Sequence, residues 1–147
     1  SSVFTVGTTG NVNGSSKTYI AYCFSEKKGY SKFGSYIGNG NADGTFVYTG
    51  QKSAFIMVKC SDAGESYRNW SMFDNKRTSF NGQLSQLKAD TTAAENTGDP
   101  GKIDLLSNGF KFRSSSGENN DGGQAYIYMC FAENPFVTST GVPALAR

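Results

Sequence analysis

Tyr126-Ile127-Tyr128-Met129-Cys130-Phe131-Ala132-Glu133 repeats, at five of eight places, the earlier stretch Tyr19-Ile20-Ala21-Tyr22-Cys23-Phe24-Ser25-Glu26. Each run is preceded by a polar turn, Asn120-Asp121-Gly122-Gly123 in one case and Asn13-Gly14-Ser15-Ser16 in the other. Short, continuous runs of aromatic and branched residues suit strands buried on both faces, as between two packed sheets. Two such strands near opposite ends of the chain predict that the ends meet as neighbouring central strands, which is usual in β-sandwiches of jelly-roll or Greek-key type. One echo is too little for a solenoid or propeller, which needs several units. The expected fold is all-β: a single two-sheet β-sandwich over residues 1–147, with little helix.

Outward from these runs, apolar clusters bounded by Gly, Asn, Asp or Ser predict strands over residues 3–6, 18–24, 45–48, 54–60, 70–73, 103–106, 110–113 and 125–131. Asn13-Gly14, Asn39-Gly40, Asp43-Gly44, Asn81-Gly82, Asn108-Gly109 and Asp121-Gly122-Gly123 lie between them and tolerate the positive φ of tight reversals. The clearest hairpin is Leu105-Leu106-Ser107-Asn108-Gly109-Phe110-Lys111-Phe112. Residues 84–94 lack a sustained apolar face and are expected to form a long loop with one helical turn.

Composition narrows the functional classes. Fourteen basic and twelve acidic residues leave a net charge of +2, without the concentrated basic face of a nucleic-acid binder. The chain has no run apolar and long enough for a membrane-spanning helix, so no membrane insertion is expected. Cys23, Cys60 and Cys130 each sit in an apolar run without metal or redox spacing, and are expected to be reduced and buried. No signal segment opens the chain, and Ser1 is not an initiator Met, so it is expected to be the C-terminal part or processed product of a longer chain.

The absence of histidine removes His-based triads and the commonest metal ligand. Gly7-Thr8-Thr9-Gly10 and Gly38-Asn39-Gly40-Asn41 lack the Gly-Lys-Ser/Thr ending of a phosphate loop and read as turns. Asn119-Asn120-Asp121-Gly122-Gly123 is rich in oxygen but lacks the spacing and closing Glu of a calcium loop, so no metal or other cofactor is expected. The best case for catalysis is Glu26 with Glu133, at equivalent ends of the echoed runs, which would converge as glycoside hydrolysis requires if those runs were adjacent. The plainer reading makes each a strand-end residue paired with a lysine. Trp70 reads as a core anchor. Tyr22, Tyr30, Phe33, Tyr36, Tyr48 and Tyr67 lie near Gly- and Ser-rich loops, where a ring can stack on a sugar while a hydroxyl reaches a neighbouring group; for most of them core or subunit-interface packing is the favoured reading.

The ordered series Gly29-Tyr30-Ser31-Lys32-Phe33-Gly34-Ser35-Tyr36-Ile37-Gly38-Asn39-Gly40, Asp43-Gly44-Thr45-Phe46-Val47-Tyr48-Thr49-Gly50, Ile103-Asp104-Leu105-Leu106-Ser107-Asn108-Gly109-Phe110-Lys111 and the 126–136 stretch resembles a C-terminal domain of unknown function in tail-fibre-like virion proteins of tailed, often marine, bacteriophages. Trp70 with Asp74 and Arg77, and the ending Val142-Pro143-Ala144-Leu145-Ala146-Arg147, share in the resemblance. Two places depart from that pattern: Gln51-Lys52-Ser53 replaces an aromatic and a proline after Gly50, and Cys130 stands where Ala is frequent. The resemblance implies a virion location, with synthesis in the host cytoplasm, and a role in surface display; it carries no catalytic residues. The expectation is a non-enzymatic fibre-tip or capsid-fibre domain that binds a bacterial surface glycan. Its contacts are expected at Tyr30, Tyr36, Asn39, Asn41, Asp43 and Tyr67. A homo-oligomer is expected, a trimer by the symmetry of fibres and the avidity of repeated weak sites, alongside other virion subunits. The alternatives are a purely structural capsid- or tail-decorating module and, third, a glycan-hydrolysing enzyme.

Overall fold

Period-two burial is what assembles this chain into sheets. The computed structural model describes residues 3–62, 69–77, 81–82, 85–98 and 102–134. In chain order its elements are a single helical turn α1 (Gly10–Asn13) and strands β1 (Ser31–Ile37), β2 (Phe46–Tyr48), β3 (Ser53–Cys60), β4 (Ser71–Asp74), β5 (Leu87–Lys88), β6 (Ile103–Leu106), β7 (Gly109–Phe112) and β8 (Ala125–Ala132). They form a five-stranded sheet, ordered β1-β8-β3-β4-β5, and a three-stranded sheet, ordered β2-β7-β6, both antiparallel. The all-β, two-sheet sandwich expected from the sequence is the architecture observed. The chain crosses between sheets after β1, β2, β5 and β7, so the pairing is mostly non-local.

The core lies between the sheets. Tyr36, Tyr126, Tyr128, Cys130, Ile56, Val58, Cys60 and Phe73 point inward from the larger sheet, and Val47, Ile103, Leu105, Phe110 and Phe112 from the smaller. Edge-on and stacked rings join the layers: Phe110 lies 5.4 Å from Tyr128, and Phe112 lies 5.9 Å from Tyr36 and 6.0 Å from Phe73. Each such pair adds about 0.5–1.5 kcal/mol beyond the area it hides.

The echo resolves differently from its reading. Residues 125–132 do form the central strand, but their neighbours are β1 and β3. Residues 18–24 and 3–6, expected as strands, belong to no sheet and are exposed. β8 is buried on its Tyr126, Tyr128 and Cys130 side, whereas Ile127 is exposed and Met129 half-buried. The true neighbour, β1, escaped notice because Ser31, Gly34 and Ser35 dilute its apolar pattern. Gly34 is required there: a Cβ would lie 2.9 Å from the Tyr128 hydroxyl.

Other expectations also need correcting. Cys23 is exposed, while Cys60 and Cys130 are buried, all three as free thiols. Trp70 is half-buried at the sheet surface under Lys59 Nζ, 5.4 Å from the ring centre, and is not a core anchor. Within the described part of residues 84–94 there is no helical turn; β5 and a bridge from Gln86 to Asn96 stand there instead. In the Asn108-Gly109 hairpin the two turn residues are Ser107 and Asn108, and Gly109 is the first residue of β7. Its φ is not positive. Glycine serves there by close approach, since a Cβ would sit 2.2 Å from the Val47 carbonyl oxygen of β2.

The buried Gln51 places Nε2 3.8 Å from Cys130 Sγ, and the adjacent Lys52 pairs with Glu133. Among the described residues, no helix is long and apolar enough to cross a membrane.

Phe112→Ala empties a ring-sized space in the core and is expected to cost about 3–5 kcal/mol in urea unfolding. Gly109→Ala must push β2 away from β7, with an expected loss of about 1–3 kcal/mol. Burial, with the neighbouring Tyr126 and Cys60, holds the Tyr36 phenol well above its ordinary value. Its neutral form is therefore favoured in the fold, and the stability it contributes is fully present below about pH 10 and lost as pH rises through the raised value. A urea midpoint that stays constant into strong alkali would contradict this.

Candidate binding face

The loop between β1 and β2 is built by its own asparagines. Asn41 N donates to Asn39 Oδ1 at 3.0 Å, Asp43 N donates to Asn41 Oδ1 at 2.8 Å, and Asn39 Nδ2 donates to the Asp43 carbonyl at 2.9 Å. The first two, i to i+2 bonds, are the local turns that Asn forms readily, and the third closes the loop from residue 39 to 43. Beneath them Asn120, fully buried, acts as a clasp. Its Nδ2 lies 2.9 Å from Asn39 Oδ1, the Asn41 carbonyl and the Ser114 carbonyl, and its Oδ1 accepts from Asn39 N at 3.0 Å. Two amide hydrogens among three acceptors means one is shared. Gly38 and Gly44 permit the fit, because a Cβ would meet the Asp121 carbonyl at 2.2 Å or the Phe112 carbonyl at 2.4 Å.

This clasp presents Asp43 beside the outer face of the small sheet. Asp43 Oδ1 is 2.7 Å from Lys111 Nζ and 3.0 Å from Arg113 Nη1, and Arg113 Nε reaches Asp104 Oδ2 at 2.6 Å. The hydrogen bond and charge of Lys111, with Arg113 behind, hold the Asp43 carboxyl below its ordinary range. Its side chain is nonetheless 75% exposed. On the same face, β2 turns Val47 inward and leaves Phe46 and Tyr48 outside, Tyr48 being 64% exposed. Phe46 stands across from Lys111, and Tyr48 across from Gly109. The result is two aromatic rings, roughly 7 Å apart along the strand, on a floor kept low by glycine. A balanced set of two cations and two carboxylates adjoins them.

The predicted contact residues divide. Asn39, Asn41 and Asp43 are brought together, although Asn39 commits both its side-chain oxygen and nitrogen, and Asn41 its side-chain oxygen, to bonds that build the loop. Tyr36 is not a surface residue: it is buried, its ring stacks on Tyr126 at 5.1 Å, and its hydroxyl donates to the Asn119 carbonyl at 2.6 Å. Tyr30 lies at the opposite end of β1, edge-on to Phe131 at 5.8 Å, and does not join the loop. Tyr67 lies outside the described residues. Phe46, Lys111, Arg113 and Asp104 were missed. The alternation Phe46-Val47-Tyr48 was the available signal, since period two puts both rings on one face.

The carboxylate pair takes its plainer reading. Glu26 pairs with Lys32 at 2.8 Å, while Glu133 pairs with Lys52 at 2.7 Å and accepts from Asn75 at 2.9 Å. The Lys52 hydrogen bond leads the causes that hold the Glu133 carboxyl below its ordinary range, opposite to the shift a general acid needs. In the oxygen-rich turn, Asn119 and Asn120 are fully buried, and the Asn120 amide nitrogen is committed to the clasp.

Fold and face define a two-sheet all-β domain with an aromatic, charge-balanced surface. A family model described as a domain of unknown function (DUF7483) matches residues 1–135, and the chain belongs to that family. No curated protein and no solved structure matches it.

Asn120→Ala removes the clasp while leaving the rings in place. It is expected to cost about 1–3 kcal/mol, from the buried partners left unsatisfied. Amide exchange should speed up in residues 39–44 and stay slow in β8; uniform acceleration would mean that the clasp has no local role.

Proposed function

We propose that this domain is a non-enzymatic module of a phage virion surface that holds a bacterial surface glycan on the outer face of its three-stranded sheet. The observation that carries the reading is the pairing of exposed Phe46 and Tyr48 with the Asp43, Lys111 and Arg113 cluster. Aromatic faces stack on the apolar faces of sugar rings, and ionised groups make strong hydrogen bonds to hydroxyls. Two cations against two carboxylates give no net attraction for a polyanion, so a neutral, hydroxyl-rich chain fits better than a nucleic acid. The resemblance of the chain to tail-fibre-like virion domains supports the setting, and repeated copies in a homo-oligomer, a trimer by preference, would raise a weak single-site affinity.

A second reading, a decorating module whose surfaces contact other virion subunits, is favoured by the many exposed apolar side chains of residues 3–24. A domain found gripping several capsid or tail subunits, with the Phe46 and Tyr48 face covered, would select it.

The deciding measurement is binding of the purified chain to a panel of bacterial surface polysaccharides, and to cells before and after those are stripped. Tyr48→Ala and Asp43→Ala are each expected to weaken binding about tenfold or more, roughly 1.4 kcal/mol, without shifting the thermal midpoint. Because the Asp43 carboxyl is held low, its ion pairs are intact above pH 3.8 and lost as pH falls through the lowered value. Binding should therefore hold down to about pH 3.8 and fail as pH falls below that. Equal binding by wild type and both variants would remove the site from this face.

A further inference from the structure

Residues 18–24 carry the composition of a central strand and occupy none. Their backbone makes no backbone–backbone hydrogen bond among the described residues. Ile20 is 79% exposed, Tyr22 80% and Phe24 56%. Their close sequence match, β8, is hydrogen-bonded on both sides. The segment belongs to a small lobe standing off the sandwich, in which the Tyr19 hydroxyl donates to the Gly10 carbonyl at 2.6 Å and accepts from Gly14 N at 2.8 Å.

We infer that residues 18–24 are a donor strand that completes the larger sheet of a second copy of this chain, along the free edge of its β1. Three observations fix this choice. First, length: β1, at seven residues, is the longest edge strand of either sheet, whereas the edges β2, β5 and β6 have three, two and four residues; Ser31 is paired with Lys27 and the Ile37 carbonyl accepts from Thr45 Oγ1, so its open stretch is residues 32–36. Long unpaired edges are the ones that accept added strands. Second, register: the antiparallel bridge from Lys27 to Ser31 begins a pairing that, continued, sets Phe24 against Gly34, Cys23 against Ser35 and Tyr22 against Tyr36. Tyr22 and Phe24, 80% and 56% exposed, would then share the inward face of Gly34 and Tyr36, while residues 18–20 would run on opposite residues 38–40, beyond the end of β1. Ala21, Cys23 and Ser25 would face out.

Third, area. At roughly 200 Å² per ring, Phe4, Tyr19, Tyr22 and Phe24 leave roughly 500 Å² open. Val3, Val6, Val12 and Ile20, between 44% and 79% exposed, add to this toward the roughly 800 Å² that each partner hides in a stable interface.

The chain does not close this strand on its own β1. Phe24 is instead seated on the outer surface, 5.9 Å from Phe33 and 6.2 Å from Phe131, and Glu26 is tied to Lys32. Glu26 and Lys32 still stand opposite one another in that register, and it is at Phe24 that the segment leaves its own sheet, so that the donor and the middle of the edge are open to a neighbour. The inference rests on this segment and not on the glycan reading.

Light scattering with amide exchange tests it on the intact chain. The wild type is expected at two or more chain masses, with the amides of residues 18–24 slowed about tenfold or more. Ile20→Asp with Tyr22→Asp should return one chain mass and free those amides, while β8 stays protected and so reports an intact fold. Under mild oxidation, Ser35→Cys should cross-link to Cys23 of a neighbour and give a covalent dimer, abolished by Cys23→Ser. A one-chain mass for the wild type at tens of micromolar (the regime of weak self-association) would overturn the inference. So would an oligomer that survives both aspartates, or a Cys23 bond formed only within one chain. Tyr48→Ala should leave the mass unchanged, which separates failure here from failure of the glycan reading.

Discussion

Two buried phenols hold this fold at the place where its sheets, its main loop and its binding face meet. Tyr36 and Tyr126 face one another across β1 and β8 with rings 5.1 Å apart and nearly parallel. Each hydroxyl then leaves the core to find a backbone partner in the same short stretch. Tyr36 donates to the Asn119 carbonyl at 2.6 Å; Tyr126 donates to the Gly117 carbonyl at 2.7 Å and accepts from Asp121 N at 2.9 Å. A tyrosine buried without such partners would carry the cost of a desolvated hydroxyl, so packing and loop placement are one constraint. With residues 117–121 fixed, Asn120 stands under the β1–β2 loop, and Asp43 is delivered to the rim of the small sheet. Surface chemistry at Asp43 thus depends on a ring stack in the core.

Much of the architecture was legible because alternation and turn chemistry agree in most strands. Residues 54–60, 103–106, 110–113 and 125–131 lie within two residues of the observed β3, β6, β7 and β8. There the apolar side chains have one sheet face to fill, and period two is a direct consequence of pleating. β1 shows where the signal weakens. Its Gly34 exists to make room for Tyr128, a residue more than ninety positions away, and no local pattern announces such a contact. The same holds for Gly109, whose reason is the backbone of β2 and not the hairpin it seemed to serve.

The candidate face was legible only in part, for a related reason. Asn39, Asn41 and Asp43 were singled out as polar loop residues, which is correct as a location. Sequence does not say that an asparagine has already spent its amide on its own turn, as Asn39 has, or its side-chain oxygen, as Asn41 has. Tyr36 and Tyr48 are the same residue type in similar Gly-rich surroundings, yet one is core and the other surface. What separates them is which sheet face the pleat assigns. That assignment depends on register with β8 for one and with β7 for the other. Lys111 and Arg113 looked like solvated strand charges until the fold set them beside Asp43, which is about seventy residues away.

The two echoed runs make the limit of local reading plain, because nearly the same residues occupy opposite environments. In β8 the pattern of Tyr, Ile, Cys and Phe is held between two strands and sends Tyr126 and Cys130 into a filled core. In residues 19–24 the equivalent side chains stand in the open, and Cys23 is exposed where Cys130 is buried. β propensity chiefly measures how well a side chain fits a pleated, half-buried surface, so the sequence specifies a requirement for such a surface and not its presence. β8 meets that requirement with contacts from distant parts of its own chain. The N-terminal copy, with Phe24 stacked on Phe33, meets no such surface among the described residues, and the inferred complement is the open edge of β1. An exposed apolar strand beside a long open edge is a state that proteins ordinarily avoid, because each invites pairing. Their coexistence in one chain, with pairing begun at Lys27 and Ser31, is what the inferred self-association would resolve, by the same pleat and pairing rules that build the sandwich.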